Sequence, residues 1–364
     1  MRFRSIGSLI LLPTLATPPS HPIPDLTFQD SGQVLGQGRT FLMEAGDLDG
    51  DGDPDLLVMD FLGPSHIWMN DGRGNYTDTG QALGGEGGHG GAFGDLDRDG
   101  DLDLFFVHNG DFDRIFLNDG RGSFSDSGQR LGAEEEWGTN VTLGDLDGDG
   151  DLDAYVTVYQ GSGHLWINDG GGRFTDSHRS FQGNPVSVAL GDLDQDGDLD
   201  AITTYSGSKD RVWRNDGTAA FQDTGQRLGQ TEAFGHVTLG DVDGDGDLDA
   251  LVTNPTMGNQ AWFNDGSGTF DEVGEPFGVG SRGTLGDLDG DGDLDFVASN
   301  QQRSWKYWLN GGEGRFSGDG TPVGGEGALS ISLGDVDGDG DLDLLLGTME
   351  GEAGNRLLLN GTAF

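Results

Sequence analysis

A nine-residue pattern, with aspartate at every odd position and glycine at position six, occurs seven times along this chain. The copy at residues 145–153 reads Asp-Leu-Asp-Gly-Asp-Gly-Asp-Leu-Asp, and every copy keeps all five aspartates. Carboxylates crowded into so short a turn repel one another unless a cation lies among them. Calcium is the best candidate, because it accepts about six to eight oxygen ligands in a flexible shell. The pattern therefore predicts one calcium ion per loop and up to seven per chain.

Other calcium loops suggest which ligand each of the five aspartates would supply. By analogy, positions one, three, five and nine bind the ion through side chains, and position seven binds it through a backbone carbonyl. Gly150 and its counterparts at position six let the chain turn sharply around the ion. The candidate metal residues are Asp47, Asp49, Asp51, Asp53 and Asp55; Asp95, Asp97, Asp99, Asp101 and Asp103; Asp145, Asp147, Asp149, Asp151 and Asp153; Asp192, Asp194, Asp196, Asp198 and Asp200; Asp241, Asp243, Asp245, Asp247 and Asp249; Asp287, Asp289, Asp291, Asp293 and Asp295; and Asp335, Asp337, Asp339, Asp341 and Asp343.

The formal net charge is −45 over 364 residues, and the loops account for most of it. Thirty-five of the 64 acidic residues lie in the seven loops, so the acidity is mainly a metal-binding feature. The negative surface that remains argues against nucleic acid as a partner. A glycine count of 69 and a hydrophobic content of 33% favour short strands joined by tight turns over helices.

The N-terminal residues 1–20 resemble an export signal, with Arg2 and Arg4 before an apolar stretch and Thr14-Leu15-Ala16 as a cleavage site. The alternative is a disordered apolar segment. No later stretch is long and apolar enough to span a membrane. The chain has no cysteine, so in an exported protein calcium would replace disulfides as the stabilising crosslink. We therefore expect a secreted, extracellular or periplasmic, protein.

The loops start 46 to 50 residues apart, and this period indicates a repeat architecture over residues 21–364. Each unit contains four predicted strands: A before the loop, B after it, C ending in Asn-Asp-Gly, and D beginning at an aromatic residue. In the Asn-Asp-Gly turn, Asn and Gly tolerate the positive φ of a hairpin. Four antiparallel strands per unit of about 45 residues are typical of a propeller blade. We predict an all-β, seven-bladed propeller forming a single domain.

The two ends of the chain argue for a closed ring. The last repeat stops at Phe364, where strand D would begin, whereas Phe28 starts an isolated strand D near the N-terminus. The residues around Phe28 closely match those around Phe124. The N-terminal strand is therefore predicted to complete the seventh blade, which removes the exposed edges of an open array.

Repeat lengths divide the propeller into a regular and a variable face. Every repeat has 21 residues from the last loop aspartate to the strand D aromatic, so variation in the period lies in the D-to-A connections. Calcium loops and Asn-Asp-Gly turns form what we call the loop face. The B-to-C and D-to-A connections form the variable face, where binding is most often found on a rigid scaffold. Its segments are 61–65, 109–114, 134–137, 159–163, 182–185, 205–211, 232–236, 254–259, 300–306 and 349–355.

One Asp-x-Asp-x-Asp-Gly-x-x-Asp loop per blade resembles the FG-GAP repeats of the integrin α-subunit propeller and of secreted bacterial VCBS-repeat proteins. The resemblance covers residues 26–364 and implies a seven-bladed propeller with calcium in the A-to-B loops. Phe93-Gly94 keeps the Phe-Gly element, but the Gly-Ala-Pro element is absent, and integrin-type ligand binding is not implied. An EF-hand is excluded, because position twelve holds Val58 or another residue that is not glutamate.

Aromatic residues fall into two groups. Trp68, Trp166, Trp213, Trp262 and Trp308 recur at one strand C position, which favours packing between blades. In contrast, Trp137, Tyr159, Tyr205 and Trp305 lie in or beside variable segments, where an exposed ring stacks on a sugar or anchors a protein; local loop packing is an equal alternative.

The histidines near the variable face are His89, His108, His164 and His236. They belong to different blades and show no ligand spacing, which argues against a catalytic centre. The leading hypothesis is a secreted, monomeric, calcium-stabilised recognition or adhesion module without catalytic activity, binding a protein or glycan. The alternatives are a lectin, as in fungal propellers that bind sugars between blades; a propeller-type polysaccharide lyase or hydrolase; and a structural extracellular component.

Overall fold

Twenty-eight strands, arranged as seven four-stranded antiparallel sheets, make up the described part of this computed structural model. The structure describes residues 26–36, 39–229, 235–299, 304–324, 328–348 and 354–361. Within these residues there is no helix, and so none that could cross a membrane. The proposed signal at residues 1–20 lies outside the described residues, whereas the all-β, seven-bladed architecture is confirmed.

Blades 1 to 4 each use four consecutive strands in the order A, B, C, D. Their bounds are β2 Thr40–Gly46, β3 Asp55–Asp60, β4 Ser65–Asn70 and β5 Tyr76–Leu83; β6 Gly88–Gly94, β7 Asp103–His108, β8 Arg114–Asn118 and β9 Phe124–Asp126; β10 Gly138–Gly144, β11 Asp153–Val158, β12 His164–Asn168 and β13 Phe174–Asp176; β14 Pro185–Gly191, β15 Asp200–Tyr205, β16 Asp210–Arg214 and β17 Gln222–Leu228.

Blades 5 and 6 follow the same order, and blade 7 takes its strand D from the N-terminus. Their bounds are β18 Val237–Gly240, β19 Asp249–Val252, β20 Asn259–Asn264 and β21 Phe270–Phe277; β22 Arg282–Gly286, β23 Asp295–Ser299, β24 Trp305–Trp308 and β25 Thr321–Gly324; β26 Ala328–Gly334, β27 Asp343–Thr348, β28 Arg356–Asn360 and β1 Phe28–Asp30.

The ring closes as predicted, through the N-terminal strand. Strand β1 pairs with β28, and Phe28 lies opposite Asn360. Phe124 lies opposite Asn118 in the same register in blade 2. Phe28 therefore supplies the strand D aromatic of blade 7, and Phe364 lies outside the described residues.

Burial follows strand position within a blade. Strand B is enclosed by its own sheet and the neighbouring blades, and β11 is buried along its whole length. Strand D lies at the outer rim, so β17 is polar and mostly exposed. The strand C tryptophans pack between blades as predicted: Trp166 joins a core cluster with Phe105 of blade 2, and Trp213 joins one with Tyr155 of blade 3.

The sixth blade departs from the predicted strand D. Phe316 does not start a strand; β25 begins five residues later, at Thr321. The intervening turn uses Gly318 and Gly320, both at positive φ, and it lets the Phe316 ring stack on Phe277 at 5.3 Å in a core cluster. The Phe316 ring thus lies in the core, and residues 316–320 do not pair with strand β24.

The Asn that follows or ends strand C joins neighbouring blades; it begins an Asn-Asp-Gly triplet in blades 1 to 5 and an Asn-Gly pair in blades 6 and 7. Asn118 Nδ2 donates to the carbonyl of Leu48 in blade 1 at 2.8 Å. The expectation of positive φ is wrong for this Asn and right for the glycine, since Gly120 has φ +69° and Asn118 ends strand β8. All seven blades have this bond: Asn70 to Val336, Asn118 to Leu48, Asn168 to Leu96, Asn215 to Leu146, Asn264 to Leu193, Asn310 to Val242, and Asn360 to Leu288.

Candidate calcium loops and variable face

The first aspartate of each loop folds the loop around itself. Asp145 Oδ1 accepts the amide of Gly148 at 2.8 Å, and its Oδ2 accepts the amide of Gly150 at 3.0 Å. Position five makes a similar bond, since Asp149 Oδ1 accepts the amide of Asp151 at 2.9 Å. Gly150 has φ +89°, a conformation that suits glycine, so the predicted sharp turn at position six is confirmed.

The donor set fits a hard cation. In the third loop, oxygens of Asp145, Asp147 and Asp153 lie within 4.8 Å of one another, and positions one, three and nine converge likewise in the first loop. In the second, fourth and fifth loops the converging oxygens come from positions one, three and five. The position-three oxygens Oδ1 of Asp97 and Asp147 are buried and have no hydrogen-bond partner among the described residues. Converging, unpartnered carboxylate oxygens are the ligands that calcium prefers, so these residues could hold the ion.

The electrostatics of the loop also favour a cation. Burial, together with the neighbouring carboxylates of Asp149 and Asp145, raises the pKa of Asp147 above its ordinary value. Burial, together with the neighbouring carboxylates of Asp291 and Asp287, likewise raises the pKa of Asp289 to about 6. A divalent ion would reverse these effects, because it stabilises the charged form of each carboxylate.

Position nine has a second, structural role that the pattern did not reveal. Asp153 Oδ1 accepts the amide of Asn168 at 2.9 Å, and Oδ2 accepts the amide of Leu146 at 3.0 Å. This carboxylate therefore ties its own loop to strand C. Burial raises the pKa of Asp153 to about 7 and that of Asp103 to about 6.

Position four carries a bridge between loops where glycine is absent. Arg98 in loop 2 donates to the Asp149 carbonyl at 3.1 Å and pairs with the Asp151 carboxylate of loop 3. Gln195 in loop 4 bonds the Asp247 carboxylate of loop 5 in the same way. These position-seven side chains are engaged with neighbours, which agrees with a role for position seven through its carbonyl.

The fourth loop contains a competing cation. Arg214 Nη2 lies 2.6 Å from Oδ2 of Asp194, the position-three carboxylate of that loop. The same strand C position holds Leu117 in blade 2 and Phe263 in blade 5, so this ion pair belongs to blade 4. A guanidinium here occupies one of the oxygens that an ion would use.

The predicted division into two faces is confirmed. Gly120 of the second Asn-Asp-Gly turn abuts the carboxylate of Asp101 in its own calcium loop, and Gly170 abuts Asp151. Calcium loops and Asn-Asp-Gly turns therefore share one end of the ring. The B-to-C and D-to-A connections lie at the other end of the strands.

The exposed large apolar side chains lie on the variable face. Six such side chains occur among the described residues, and each belongs to a B-to-C or D-to-A connection. Their placement opposite the acidic loop face makes the variable face the more apolar of the two ends. They are Val34, Leu62, Trp137, Tyr159, Met257 and Val279.

Two of the four proposed ligand-binding aromatics form an exposed platform. The rings of Trp137 and Tyr159 stack at 5.7 Å with an interplanar angle of 22°. They are 52% and 43% exposed, and the Tyr159 amide donates to the Trp137 carbonyl at 2.8 Å. Beside the platform, Glu136 pairs with His164 at 3.0 Å. Both rings are therefore available to a ligand, as expected.

The other two aromatics are buried, so the expectation that they are exposed is wrong. Trp305 is 0% exposed, because strand β24 begins at this residue and lies opposite Ser299, placing the ring in a core cluster with Leu344. Tyr205 is 3% exposed, because it ends strand β15 beneath the guanidinium of Arg211, 4.7 Å from the ring centroid. Neither ring can serve as a surface platform.

A cavity of 770 Å³ opens where the strand A ends and the adjoining connections meet. Strand A carries a one-residue β-bulge in several blades, and the bulged residue lines the cavity. These residues are His89, Thr139, Val186 and Leu329. A bulge re-aims a side chain in this way. The same bulge in successive blades thus builds the wall of the cavity.

The cavity brings together residues that lie far apart in the sequence. His89 of blade 2, His236 before β18 and Arg282 of blade 6 all line it. His89 Nδ1 lies 3.1 Å from the Thr139 carbonyl, and His236 Nδ1 lies 3.2 Å from Ser187 Oγ. Burial lowers the pKa of His236 to about 3 and also lowers that of His89. Because these residues belong to different blades, the sequence spacing gives no direct sign that they converge. One signal is present: His236 and Arg282 both lie four residues before the glycine that ends strand A.

A second cavity, of 430 Å³, lies between blades 3 and 4. Its lining includes His178, Arg179 and Gln182, together with the buried ring of Phe181. Arg179 donates to the Thr218 carbonyl of the next blade at 2.6 Å, so the guanidinium is already engaged in joining the blades.

Comparison with solved structures identifies other propellers. A lectin from Agrocybe aegerita, solved for its specific recognition of non-reducing terminal N-acetylglucosamine, is 20% identical with a TM-score of 0.54, covering 88% of this chain and 87% of its own. The BP39L lectin from Burkholderia pseudomallei is 12% identical with a TM-score of 0.66, covering 90% and 99%. BBS1N, solved in complex with ARL6DN, is 12% identical with a TM-score of 0.62, covering 93% and 97%. At these identities the likeness concerns the fold alone.

Comparison at the sequence level identifies the repeats themselves. No curated protein matches the chain. Five segments match the FG-GAP-like repeat family, and together they span most of the ring. The matched residues are 47–106, 95–156, 155–203, 192–252 and 287–346. The chain therefore belongs to the FG-GAP-like repeat family.

Proposed function

We propose that this protein is an exported, calcium-stabilised recognition module that binds its ligand through the variable face and has no catalytic activity. The observation that carries the proposal is the placement of the six exposed large apolar side chains, from Val34 to Val279, all on connections of that face. A ligand that covers such side chains removes apolar surface from water, which stabilises the complex.

Calcium has a structural role in this proposal. The loops lie on the opposite face, and each is tied to strand C by its position-nine carboxylate, such as Asp153 to Asn168. An ion bound by Asp145, Asp147 and Asp149 would hold the ends of strands A and B together. Export fits this role, because extracellular calcium would keep the loops filled in a chain that lacks cysteine.

A glycan is the ligand that the variable face favours, which makes a lectin the preferred form of the proposal. The Trp137–Tyr159 stack offers two half-exposed rings side by side, and aromatic faces pack well against the apolar face of a sugar. The similarity to two propellers described as lectins supports the same choice. Protein ligands remain the second candidate, supported by Leu62 and Met257, which are exposed away from the stack.

The absence of catalysis is proposed from the state of the histidines and the loop aspartates. A general base needs a pKa near the working pH, and burial lowers the pKa of His236 to about 3. His164 is paired with Glu136, and the loop aspartates would be held by calcium. These groups are poorly placed for proton transfer on a bound polysaccharide.

A glycan array tests the proposal. We expect calcium-loaded protein to bind a restricted set of glycans and the Trp137→Ala/Tyr159→Ala variant to lose most of that binding. Met257→Ala is the matched control, because it removes an exposed apolar side chain of the same face outside the stack. Absence of binding above background would contradict the glycan choice. New unsaturated or reducing ends on acidic polysaccharides would contradict the proposal that the protein is not an enzyme.

A further inference from the structure

The 770 Å³ cavity differs in charge from the rest of the molecule. Although the chain has 64 acidic residues and 19 Lys or Arg, the described residues that line the cavity include no carboxylate and one formal cation, Arg282. His89 and His236 line it beside Arg282, and the charge of Arg282 contributes to lowering the pKa of both histidines. Both imidazoles are therefore neutral near pH 7, which leaves the guanidinium as the local charge.

Arg282 has no partner for that charge within the part of the chain that the structure describes. No hydrogen bond or ion pair joins its guanidinium to a described side chain or carbonyl, whereas Arg98 and Arg214 on the loop face are each paired with an aspartate. Partial burial in the cavity wall lowers the pKa of Arg282. Arg282 is half-buried in the cavity wall, and its guanidinium, which has no counter-charge among the described residues, can still be reached by an incoming anion.

The remaining lining residues describe the rest of the ligand. Asn140, Asn184, Gln160 and Ser281 offer amide and hydroxyl groups, whereas Pro185 and Leu329 provide an apolar wall. Alternating donors, acceptors and apolar patches suit a polyhydroxylated ring better than a flexible hydrocarbon chain. The volume falls within the range of about 300–1,000 Å³ that is usual for small-molecule sites.

Tyr159 connects the cavity to the exposed platform. Its side chain lines the cavity and also stacks on Trp137 outside it. A ligand whose terminal sugar enters the cavity would therefore place its next residue on the platform. We propose that the cavity binds a uronic acid residue, with Arg282 pairing with its carboxylate and the amide and hydroxyl side chains binding its ring hydroxyls.

This inference rests on the proposed recognition function and adds the chemical class of the glycan. A guanidinium recognises a carboxylate through two parallel hydrogen bonds, which a neutral sugar cannot make. The acidic terminal sugar would thus be distinguished from its neutral counterpart by Arg282, while the platform contributes contacts that both sugars share.

The test measures binding of galacturonate, galacturonate methyl ester and galactose to the calcium-loaded protein by calorimetry at low salt. We expect galacturonate to bind at least tenfold more tightly than the ester or galactose. Arg282→Gln is expected to remove this tenfold preference while leaving the weak binding of galactose unchanged. Arg315→Gln is the matched control, since it removes the same charge from an exposed side chain paired only with Glu313 on the loop face.

Several outcomes would overturn the inference. Equal affinity for galacturonate and its ester, or an unchanged preference in Arg282→Gln, would remove the carboxylate contact. Equal binding of N-acetylglutamate would remove the sugar assignment. If Arg282→Gln fails to fold, Arg282→Lys tests the same point. Lysine keeps the positive charge but cannot form two parallel hydrogen bonds to a carboxylate, so this variant should fold and lose part of the preference for galacturonate. Binding of neutral glycans on the array, without any preference for uronates, would retain the proposed function and reject this inference.

Discussion

Asn70 of blade 1 donates a hydrogen bond from its Nδ2 to the carbonyl of Val336 in blade 7, at 2.8 Å and across 266 residues of sequence. Its own backbone amide donates to Asp55 Oδ1 at 2.8 Å. One residue thus joins a calcium loop, the end of a strand C and the neighbouring blade. Together with the pairing of β1 and β28, this bond holds the first and last blades together.

Replacing Asn168 by Ala should lower the free energy of unfolding by about 1–3 kcal/mol, because the Leu96 carbonyl in the preceding blade loses its donor while it remains buried. Chemical denaturation of the calcium-loaded protein measures the change. The control is Asn75→Ala, which removes an exposed Asn that bonds only Asp71 in its own turn. An equal loss of unfolding free energy in both variants would show that the hydrogen bond between blades does not contribute specifically to stability.

Removal of calcium should lower the melting temperature markedly. Each metal-free loop leaves carboxylates such as Asp145, Asp147 and Asp149 facing one another without a counter-charge. Thermal melts in calcium and in EGTA measure the difference, and magnesium serves as the control because it tolerates this flexible oxygen shell poorly. Identical melts in calcium and EGTA would reject the metal assignment.

The metal-free protein should become less stable as pH rises from about 4 to 7. Burial raises the folded-state pKa of Asp103 to about 6 and of Asp295 to about 7, whereas an unfolded aspartate titrates near 3.9. Over this window the folded state binds more protons than the unfolded state, so the free energy of unfolding falls as pH rises.

Metal-stripped protein should therefore melt at a higher temperature at pH 5 than at pH 8, and calcium should reduce or reverse this difference. Carboxyls whose pKa is lowered in the fold, such as Asp126 beside Arg130, titrate below the window and do not change the sign. Differential scanning fluorimetry after resin treatment measures the effect. A melting temperature that rises from pH 5 to pH 8 without metal would contradict it.

Substitution of Arg214 by Leu should strengthen calcium binding at the fourth loop by at least about tenfold, because the guanidinium 2.6 Å from Asp194 Oδ2 repels the ion and occupies an oxygen. Leucine stands at this position in blade 2, as Leu117. Calorimetric titration of stripped protein measures the number and strength of the sites. Arg121→Leu, an exposed charge on the same face, is the control, and equal gains in both variants would exclude a specific role for Arg214.

Trp305 and Trp137 should differ sharply in their contribution to stability. Trp305→Ala should lower the free energy of unfolding by about 3–5 kcal/mol, because it leaves a cavity among Leu344 and Leu346. Trp137→Ala should change it by less than about 1 kcal/mol, since the ring is 52% exposed. Urea denaturation of both variants measures the two values, and similar losses would contradict the assignment of Trp305 to the core.

The limits of sequence reasoning appear most clearly at three residues. A hairpin turn explains the Asn-Asp-Gly triplet of Asn118 locally, but the Asn118 side chain donates to the Leu48 carbonyl in another blade. Trp305 lies in or beside a variable segment by its position in the sequence, and no local signal indicates that strand β24 begins there. His236 shows no ligand spacing in the sequence, although the ring brings it to the same cavity as Arg282.

The sequence by itself determined the repeat, the blade count, the closure through Phe28 and the division into two faces. These follow from local signals: regularly spaced aspartates, positive-φ glycines and constant lengths within each blade. The tertiary structure alone decided which aromatics remain exposed, which Asn joins which carbonyl, and that Arg282 lies beside His89 and His236. The physical reason is that these relationships depend on the closed ring, which brings together strand A residues separated by 46 or more residues of sequence and places them around one cavity.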